Sequence, residues 1–273
     1  MSIRLHALLS KYRVVPDLDI FVVPHFLRDV LGCDDAAFLQ TELEDAYPIR
    51  RSGDAIIPHC VQWVEGENDA LKYRGRALKR TKIWLQRGDP RSDGYLYYYY
   101  TGIQWRVVPA QTGWDQCPEV AALVPRYDAW CQKVGAQNAN QVIVTAYRNG
   151  DANIGAHSDK ARSIAASGEQ TGLSLITVVK MGECGRPFEL YRAGEDIPFW
   201  SQTVAPGTAV IMTMEANERT KHGVPVVSGG CGNSGSLVWR SITTRYTEDQ
   251  VAAKILASEK ARARSRATKR PRP

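Results

Sequence analysis

The sequence lacks any apolar run that approaches the roughly 20 residues needed to span a bilayer. Its first residues contain no continuous apolar core of the kind that a secretory signal carries. We therefore expect a soluble, intracellular protein without membrane association. A stretch rich in glycine, serine and proline is missing as well, so the composition offers no linker that would divide the 273 residues into separate domains.

The cysteines form no C-x-x-C pair, which excludes the common spacings of zinc ligands. They are scattered along the chain at Cys33, Cys60, Cys117, Cys131, Cys184 and Cys231. Without a secretory signal, reduced thiols are expected rather than a disulfide framework. The sequence therefore favours a reducing compartment.

Positive charge is in excess, with a net charge of +6 and a sequence pI near 9.0. The segment from Lys72 to Arg91 interleaves basic residues with Tyr73 and Trp84, a composition suited to contacts with phosphates and bases, although a solvated charged face would have the same composition. From Lys254 onwards, eight basic residues face one acidic residue. Such a tail is typical of a nucleic-acid-binding arm, a nuclear-localisation-like segment or a solubilising extension.

Three residues are candidate metal ligands. His157 and Asp159 are two positions apart, so on an extended strand their side chains leave the same face. His222, far along the chain, would complete a set of two imidazoles and one carboxylate, the arrangement of non-haem Fe(II) oxygenases. The alternative is that each is an ordinary, hydrogen-bonded polar residue.

The surrounding segments predict many strands and few helices. Apolar, β-branched runs at 142–144, 173–179, 204–214 and 237–246 are typical of strands, with turn residues between them. Helical spacing of apolar residues predicts one helix from Asp34 to Ala46 and a second after Pro118. Strands without intervening helices indicate an all-β core, on which these helices would pack.

Several motifs resemble the AlkB family of iron- and 2-oxoglutarate-dependent dioxygenases. They are the run Tyr147-x-x-Gly150-x-x-x-Ile154-x-x-His157-Ser158-Asp159, the segment His222-Gly223-Val224-Pro225, and Tyr98-Tyr99-Tyr100-Thr101-Gly102, which is similar to the family's Y-x-Y-S-G. The resemblance covers about residues 15 to 247. It implies a mainly β fold with flanking α-helices: a double-stranded β-helix (jelly-roll) core with N-terminal helices and a nucleotide-recognition-lid-like region.

The resemblance also implies Fe(II), 2-oxoglutarate and O2 as cofactor and cosubstrates, with His157, Asp159 and His222 as catalytic metal ligands. Tyr147 matches a 2-oxoglutarate-binding tyrosine. The family's last strand reads R-x-[NS]-x-T-x-R, and the gap-free match here is 239–245, in which Arg245 fits and the first arginine is displaced by one to Arg240. We expect Arg245 to anchor a carboxylate, and Arg240 to contribute only if a bulge turns it inward.

Candidate substrate-binding residues are Trp84, Tyr98, Tyr100 and Arg80, which would stack on a base or contact a phosphate. The family members that repair alkylated bases usually carry acidic residues directly after the H-x-D, whereas this chain has Lys160-Ala161. This departure concerns the substrate more than the oxygenase chemistry.

The leading hypothesis is a monomeric oxygenase that demethylates or hydroxylates alkylated bases in DNA or RNA, with one catalytic domain over residues 1–250 and a basic tail over 251–273. One alternative is an oxygenase of the same type that hydroxylates a small molecule or a protein side chain. The other is a catalytically silent nucleic-acid-binding relative. The basic tail would suit a nuclear location.

Overall fold

A computed structural model describes residues 3–37, 39, 42–43, 72–73, 76–77, 80–89, 93–96, 112–159, 164–168, 172–243, 245–247, 249–250 and isolated positions up to 264. The helices in these residues are α1 (Ile3–Leu9), α2 (Phe26–Asp29), α3 (Pro118–Val134) and α4 (Met214–Arg219). The strands are β1 (Ile20–Val23), β2 (Lys72–Tyr73), β3 (Arg76–Ala77), β4 (Thr81–Gln86), β5 (Tyr95–Leu96), β6 (Thr112–Gly113), β7 (Gln141–Tyr147), β8 (Ile154–His157), β9 (Leu175–Gly182), β10 (Arg186–Arg192), β11 (Trp200–Val204), β12 (Ala209–Thr213), β13 (Thr220–Val224), β14 (Ser234–Arg240) and β15 (Arg245–Tyr246).

Two mainly antiparallel sheets form the core. The larger sheet has the order β1-β12-β9-β14-β7-β4-β6, and the smaller has the order β11-β10-β13-β8. From β7 to β14 the chain passes repeatedly between the two sheets, with β7, β9, β12 and β14 in one and β8, β10, β11 and β13 in the other. This winding is the double-stranded β-helix, so the expected jelly-roll core is confirmed.

The two faces of the larger sheet have different neighbours. Because successive side chains on a strand point to opposite faces, β7 sends Val142, Val144 and Ala146 to an outer apolar cluster. Tyr147 points instead to a second cluster with residues of the smaller sheet, such as Phe188. A strand covered on both faces is apolar along its length, which explains the near-continuous β-branched run in the sequence.

Helix α3 covers the outer face of the larger sheet. Pro118 lies in its first turn, and Gly135 ends it in the left-handed conformation at a φ of 72°. Its buried side chains include Val120, Leu123 and Tyr127, and the Tyr127 ring stacks on Trp239 of β14 with centroids 4.5 Å apart. The helix predicted after Pro118 is therefore confirmed, and it fixes the strand that carries Arg240.

The other predicted segments are described less completely. The described residues between 36 and 43 are helical, in agreement with the predicted helix there. Most of the lid-like region, including Tyr98 and Tyr100, lies outside the described residues. The described residues between 249 and 264 in the basic tail are all helical. No helix among the described residues is long and apolar enough to cross a bilayer.

One expectation about the cysteines is corrected. Cys184 and Cys231 form a disulfide between the turn that joins β9 to β10 and the loop that precedes β14. The two residues are 47 positions apart, and only the winding of the sheets brings these connections together. Cys33, Cys117 and Cys131 are free thiols, as expected.

Candidate metal centre

Two adjacent strands of the smaller sheet bring the predicted ligands together. His157 ends β8, and β13 pairs with β8 so that His222 lies directly opposite His157. Their ring centroids are 4.4 Å apart, and the His157 Nε2 atom lies 3.8 Å from Asp159 Oδ1. The ligand atoms of all three side chains lie within 4.8 Å of one another. The structure therefore places two imidazoles and a carboxylate around one point.

A hydrogen bond orients His157, and a stacked aromatic ring orients His222. His157 Nδ1 lies 2.9 Å from the Gly155 carbonyl, a bond in which Nδ1 must donate, so Nε2 is left to accept a metal ion. The His222 ring stacks on Phe188 at an interplanar angle of 10° and a centroid distance of 5.7 Å. Its Nδ1 atom is buried and has no hydrogen-bond partner among the described residues. An imidazole nitrogen without a protein partner is available to a ligand such as a metal ion.

The backbone of Asp159 is held by a residue that the sequence did not reveal. Asn217 of α4 accepts a hydrogen bond from the Asp159 amide at 2.8 Å and donates one to its carbonyl at 2.9 Å. Asn217 is fully buried. These reciprocal bonds fix the chain just past β8, where it leaves the sheet and no ladder partner constrains it. An asparagine in M-E-A-N-E-R carries no sequence signal for this role.

The carboxylate of Asp159 is held by Arg240 at the end of β14. Arg240 Nη1 donates to Asp159 Oδ2 at 2.9 Å, and Nη2 donates to Gln141 Oε1 at 2.5 Å. Burial by itself would raise the pKa of the Asp159 carboxyl. Arg240 and then the two imidazoles lower it, and together they outweigh burial, so the pKa lies below its usual range. The carboxylate is therefore ionised throughout the neutral range.

The imidazoles are held in their neutral form. Burial lowers the pKa of His157 well below its usual range, and the neighbouring His222 lowers it further. Burial also lowers the pKa of His222, although Asp159 raises it in part. A metal ion binds neutral imidazole and ionised carboxylate, so all three groups are already in the protonation state of ligands. This donor set fits Fe(II) with 2-oxoglutarate and O2 at the positions that the protein leaves open.

The three ligands open into a cavity of about 480 Å³ between the sheets. Its apolar wall includes Ile143, Val178, Phe188 and Val238. Its polar and charged lining consists of Arg80, Lys82, Thr145, Tyr147, Ser158, Lys180, Lys221, Ser236 and Arg240 together with the three ligands. Asp159 is the single carboxylate among these described lining residues, so the cavity is strongly cationic.

The structure separates the two predicted arginine anchors. Arg240 lines the cavity, but Asp159 and Gln141 occupy its guanidinium. Arg245 lies on β15, which pairs with β5; it is exposed, and its Nη1 donates to the Asp93 carbonyl at 3.4 Å. Arg245 does not line the cavity, so the expectation that it anchors a carboxylate there is corrected.

The cause of this error is the register of the last strand. The core strand is β14 and ends at Arg240, so the seven-residue match to R-x-[NS]-x-T-x-R is Ser234–Arg240 rather than 239–245. In this register Ser236 and Arg240 agree with the pattern, whereas Ser234 replaces the first arginine and Val238 replaces the threonine. No bulge is needed, because Ser236, Val238 and Arg240 alternate onto the cavity face.

The other predicted residues are distributed between the site and the core. Tyr147 and Arg80 line the cavity, and Arg80 Nη1 donates to the Asn153 carbonyl at 3.0 Å. Trp84 is buried and does not line the cavity. Lys82, which belongs to the basic segment from Lys72 to Arg91, and Lys180, which the sequence pattern did not single out, are buried in the cavity wall. Lys180 interrupts the apolar run of β9, which was a readable signal.

Comparisons with known proteins give distant structural similarity. No family profile and no curated protein matches the sequence. OsALKBH1 has a similar structure, with a TM-score of 0.46 and 14% identity, covering 83% of this chain and 98% of that one. A prolyl hydroxylase from Trichoplax adhaerens, in complex with a peptide fragment of the hypoxia inducible factor oxygen degradation domain, has a TM-score of 0.41 and 12% identity, covering 87% of each chain. At this similarity, neither protein's activity is carried over to this chain.

Proposed function

We propose that this protein is an Fe(II)- and 2-oxoglutarate-dependent dioxygenase that acts on alkylated bases in nucleic acid. The observation that carries the proposal is the cluster of His157, Asp159 and His222 in the wall of the cationic jelly-roll cavity. The overall reaction would convert 2-oxoglutarate, O2 and an N-methyl group into succinate, CO2 and an N-hydroxymethyl group. The last would release formaldehyde and leave the unmodified base.

Each residue of the cluster has a defined task. Bound there, Fe(II) with 2-oxoglutarate and O2 supplies the oxidation of a C–H bond. His157, Asp159 and His222 would hold the ion on one side and leave its other positions open. Arg240 keeps Asp159 ionised and oriented, and the Gly155 carbonyl fixes the tautomer of His157. The apolar wall, with Phe188 against His222, excludes water from the reacting centre.

Charge placement supports nucleic acid as the substrate. Arg80, in the middle of the basic segment from Lys72 to Arg91, lines the cavity, and its bond to the Asn153 carbonyl holds the guanidinium in place. The tail from Lys254 onwards adds eight basic residues. A phosphate backbone would pair with these groups while a single base enters the cavity.

A second function is favoured by one feature of the cavity. Lys82 is buried in its wall, and its charged neighbours include Arg80 and Arg240. A buried lysine would pair with an acidic group on a small molecule or a protein side chain, whereas an uncharged base would leave it without a counter-charge. Lys160-Ala161, directly after the H-x-D, is compatible with such a substrate.

Turnover across a substrate panel tests both functions. The full chain, loaded with Fe(II), is supplied with 2-oxoglutarate and with methylated oligonucleotides, free bases, small acids or peptides, in air and without oxygen. We expect oxygen-dependent succinate with equal formaldehyde from one or more methylated oligonucleotides. Succinate that rises only with small acids or peptides would favour the second function. Oxygen-independent succinate, or none from a protein that binds Fe(II), would contradict the oxygenase proposal.

Salt dependence checks the nucleic-acid part separately. If the tail binds phosphates, removal of residues 251–273 should reduce the slope of log affinity against log salt by about 0.7–0.9 for each phosphate that the tail neutralises. Oligonucleotide binding by the full and shortened chains at several salt concentrations gives the two slopes. Succinate formation on a free base should be unchanged, since the metal ligands and Arg240 all precede the tail. Equal slopes would contradict a role for the tail in binding.

A further inference from the structure

Lys180 is a buried cation that the proposed metal centre does not use. It lies on β9, between β12 and β14 in the middle of the larger sheet, and is 1% exposed. Its side chain lines the cavity, and its Nζ atom has no hydrogen-bond partner among the described residues. A buried ammonium without a partner costs several kcal/mol, so its retention calls for a ligand.

The groups around Lys180 form a receptor for a carboxylate. Ser236 lies opposite it in the β9–β14 register, and the Tyr147 ring centroid is 5.4 Å from its Nζ. The Ser236 side chain lies close enough to Tyr147 to lower the pKa of its hydroxyl, against the larger effect of burial. One ammonium and two hydroxyls thus lie on one wall of the cavity. All three can donate hydrogen bonds to an ionised carboxylate.

The charges that face this place are positive. Arg186 of β10 lies across the Tyr147 ring, with its Cζ 5.6 Å from the centroid, and donates to the carbonyls of Asn149, Ala152 and Pro225. Burial and then Arg186 lower the pKa of Lys180 to about 7. Burial raises the pKa of Tyr147, which keeps its hydroxyl protonated. Among the described residues, a carboxylate at this place would therefore have positive neighbours.

The separation between Lys180 and the metal cluster suits a short diacid that binds the metal at one end and Lys180 at the other. Ser236, its cross-strand partner, is four residues from Arg240 on β14, or roughly 13 Å at 3.3 Å per residue. Arg240 holds the ligand Asp159, so the metal cluster and Lys180 lie at two ends of one wall. An extended lysine side chain and a five-carbon diacid together span that separation.

We propose that Lys180, with Tyr147 and Ser236, binds the distal carboxylate of the 2-oxo diacid, and that Lys180 determines the preference for a dicarboxylate cosubstrate. The inference rests on the proposed function. Arg240 is occupied by Asp159 and Gln141, and Arg245 lies outside the cavity, so neither predicted arginine is placed for this role.

A binding experiment without turnover tests the assignment. The full chain is loaded with Mn(II) in the absence of oxygen and titrated calorimetrically with 2-oxoglutarate and with 2-oxopentanoate, which has a methyl group in place of the distal carboxylate. Lys180→Met should weaken 2-oxoglutarate binding by roughly 10- to 100-fold and leave 2-oxopentanoate binding unchanged. The matched control is Lys82→Met, which removes another buried lysine of the cavity and should alter both affinities by the same factor.

Stability and pH provide readouts that a folding defect would not mimic. Lys180→Met removes an unpaired buried charge, so the ligand-free variant should unfold at a higher temperature than the parent. Because the pKa of Lys180 is lowered, this gain should be full below about pH 7 and shrink as the pH rises towards 10.5, the value of an exposed lysine. The parent's preference for 2-oxoglutarate should weaken above about pH 7, whereas the variant's should not change.

The outcomes separate this inference from the proposed function. The assignment of Lys180 is overturned if the Lys180→Met variant still prefers 2-oxoglutarate, or if its affinities for both acids fall by the same factor. The oxygenase proposal stands in either case. If the parent chain binds Mn(II) but neither 2-oxo acid, both are overturned together. The assignment is supported if Lys180→Met lowers the affinity for 2-oxoglutarate alone, while Lys82→Met changes the affinities for both acids by the same factor.

Discussion

His222→Ala is expected to abolish turnover and to weaken metal binding by more than about 100-fold, since loss of even an outer-shell partner of a metal ligand costs about 10- to 100-fold. His222 is a buried candidate ligand that lies opposite His157 and packs on Phe188. No further His, Cys, Asp or Glu among the described residues belongs to the cluster, so none of them can replace its nitrogen. Mn(II) titration of the full chain measures the affinity, and succinate formation measures the turnover.

A matched control is available on the surface. His25 is exposed and has a left-handed backbone at a φ of 54°, a conformation that asparagine tolerates. His25→Asn should therefore leave metal affinity and turnover unchanged. Metal binding that survives in His222→Ala, or that falls equally in both variants, would contradict the three-ligand centre.

Arg240→Met is expected to destabilise the metal-free protein by about 3–5 kcal/mol, because it leaves the buried carboxylate of Asp159 without its counter-charge. Arg240 is 1% exposed, and Gln141 would lose a donor as well. A bound divalent ion supplies positive charge to the same carboxylate, so Mn(II) should recover part of the lost stability. Denaturant unfolding of the parent and the variant, with and without Mn(II), measures both effects.

Arg245→Met is the comparison that tests the strand register. Arg245 is exposed and makes a long hydrogen bond to a backbone carbonyl, so its replacement should change the free energy of unfolding by less than about 0.5 kcal/mol. Cosubstrate affinity should also be unchanged. A larger loss of stability or of 2-oxoglutarate binding in Arg245→Met than in Arg240→Met would show that the site is built differently.

The local sequence was enough to predict that two of the three candidate metal ligands lie together. His157 and Asp159 share a strand face because side chains alternate along a strand, a local rule that needs no tertiary information. The apolar runs likewise predicted the strands of the core, and the helical spacing after Pro118 predicted α3, because periodicity reflects which face of an element is buried. The resemblance then supplied His222, which local spacing could not connect to the other two ligands.

Only the tertiary structure decided the register of the last strand, the Cys184–Cys231 disulfide and the surroundings of Asn217 and Lys180. Each depends on residues that are far apart in the sequence and meet only when the two sheets wind around each other. A motif can be matched in more than one register, but the ladder between β9 and β14 allows one, because a shift would turn the apolar face away from the core. Whether a buried lysine has a hydrogen-bond partner likewise depends on which residues lie near it in space. Those residues come from other strands, so the sequence of β9 alone does not reveal them.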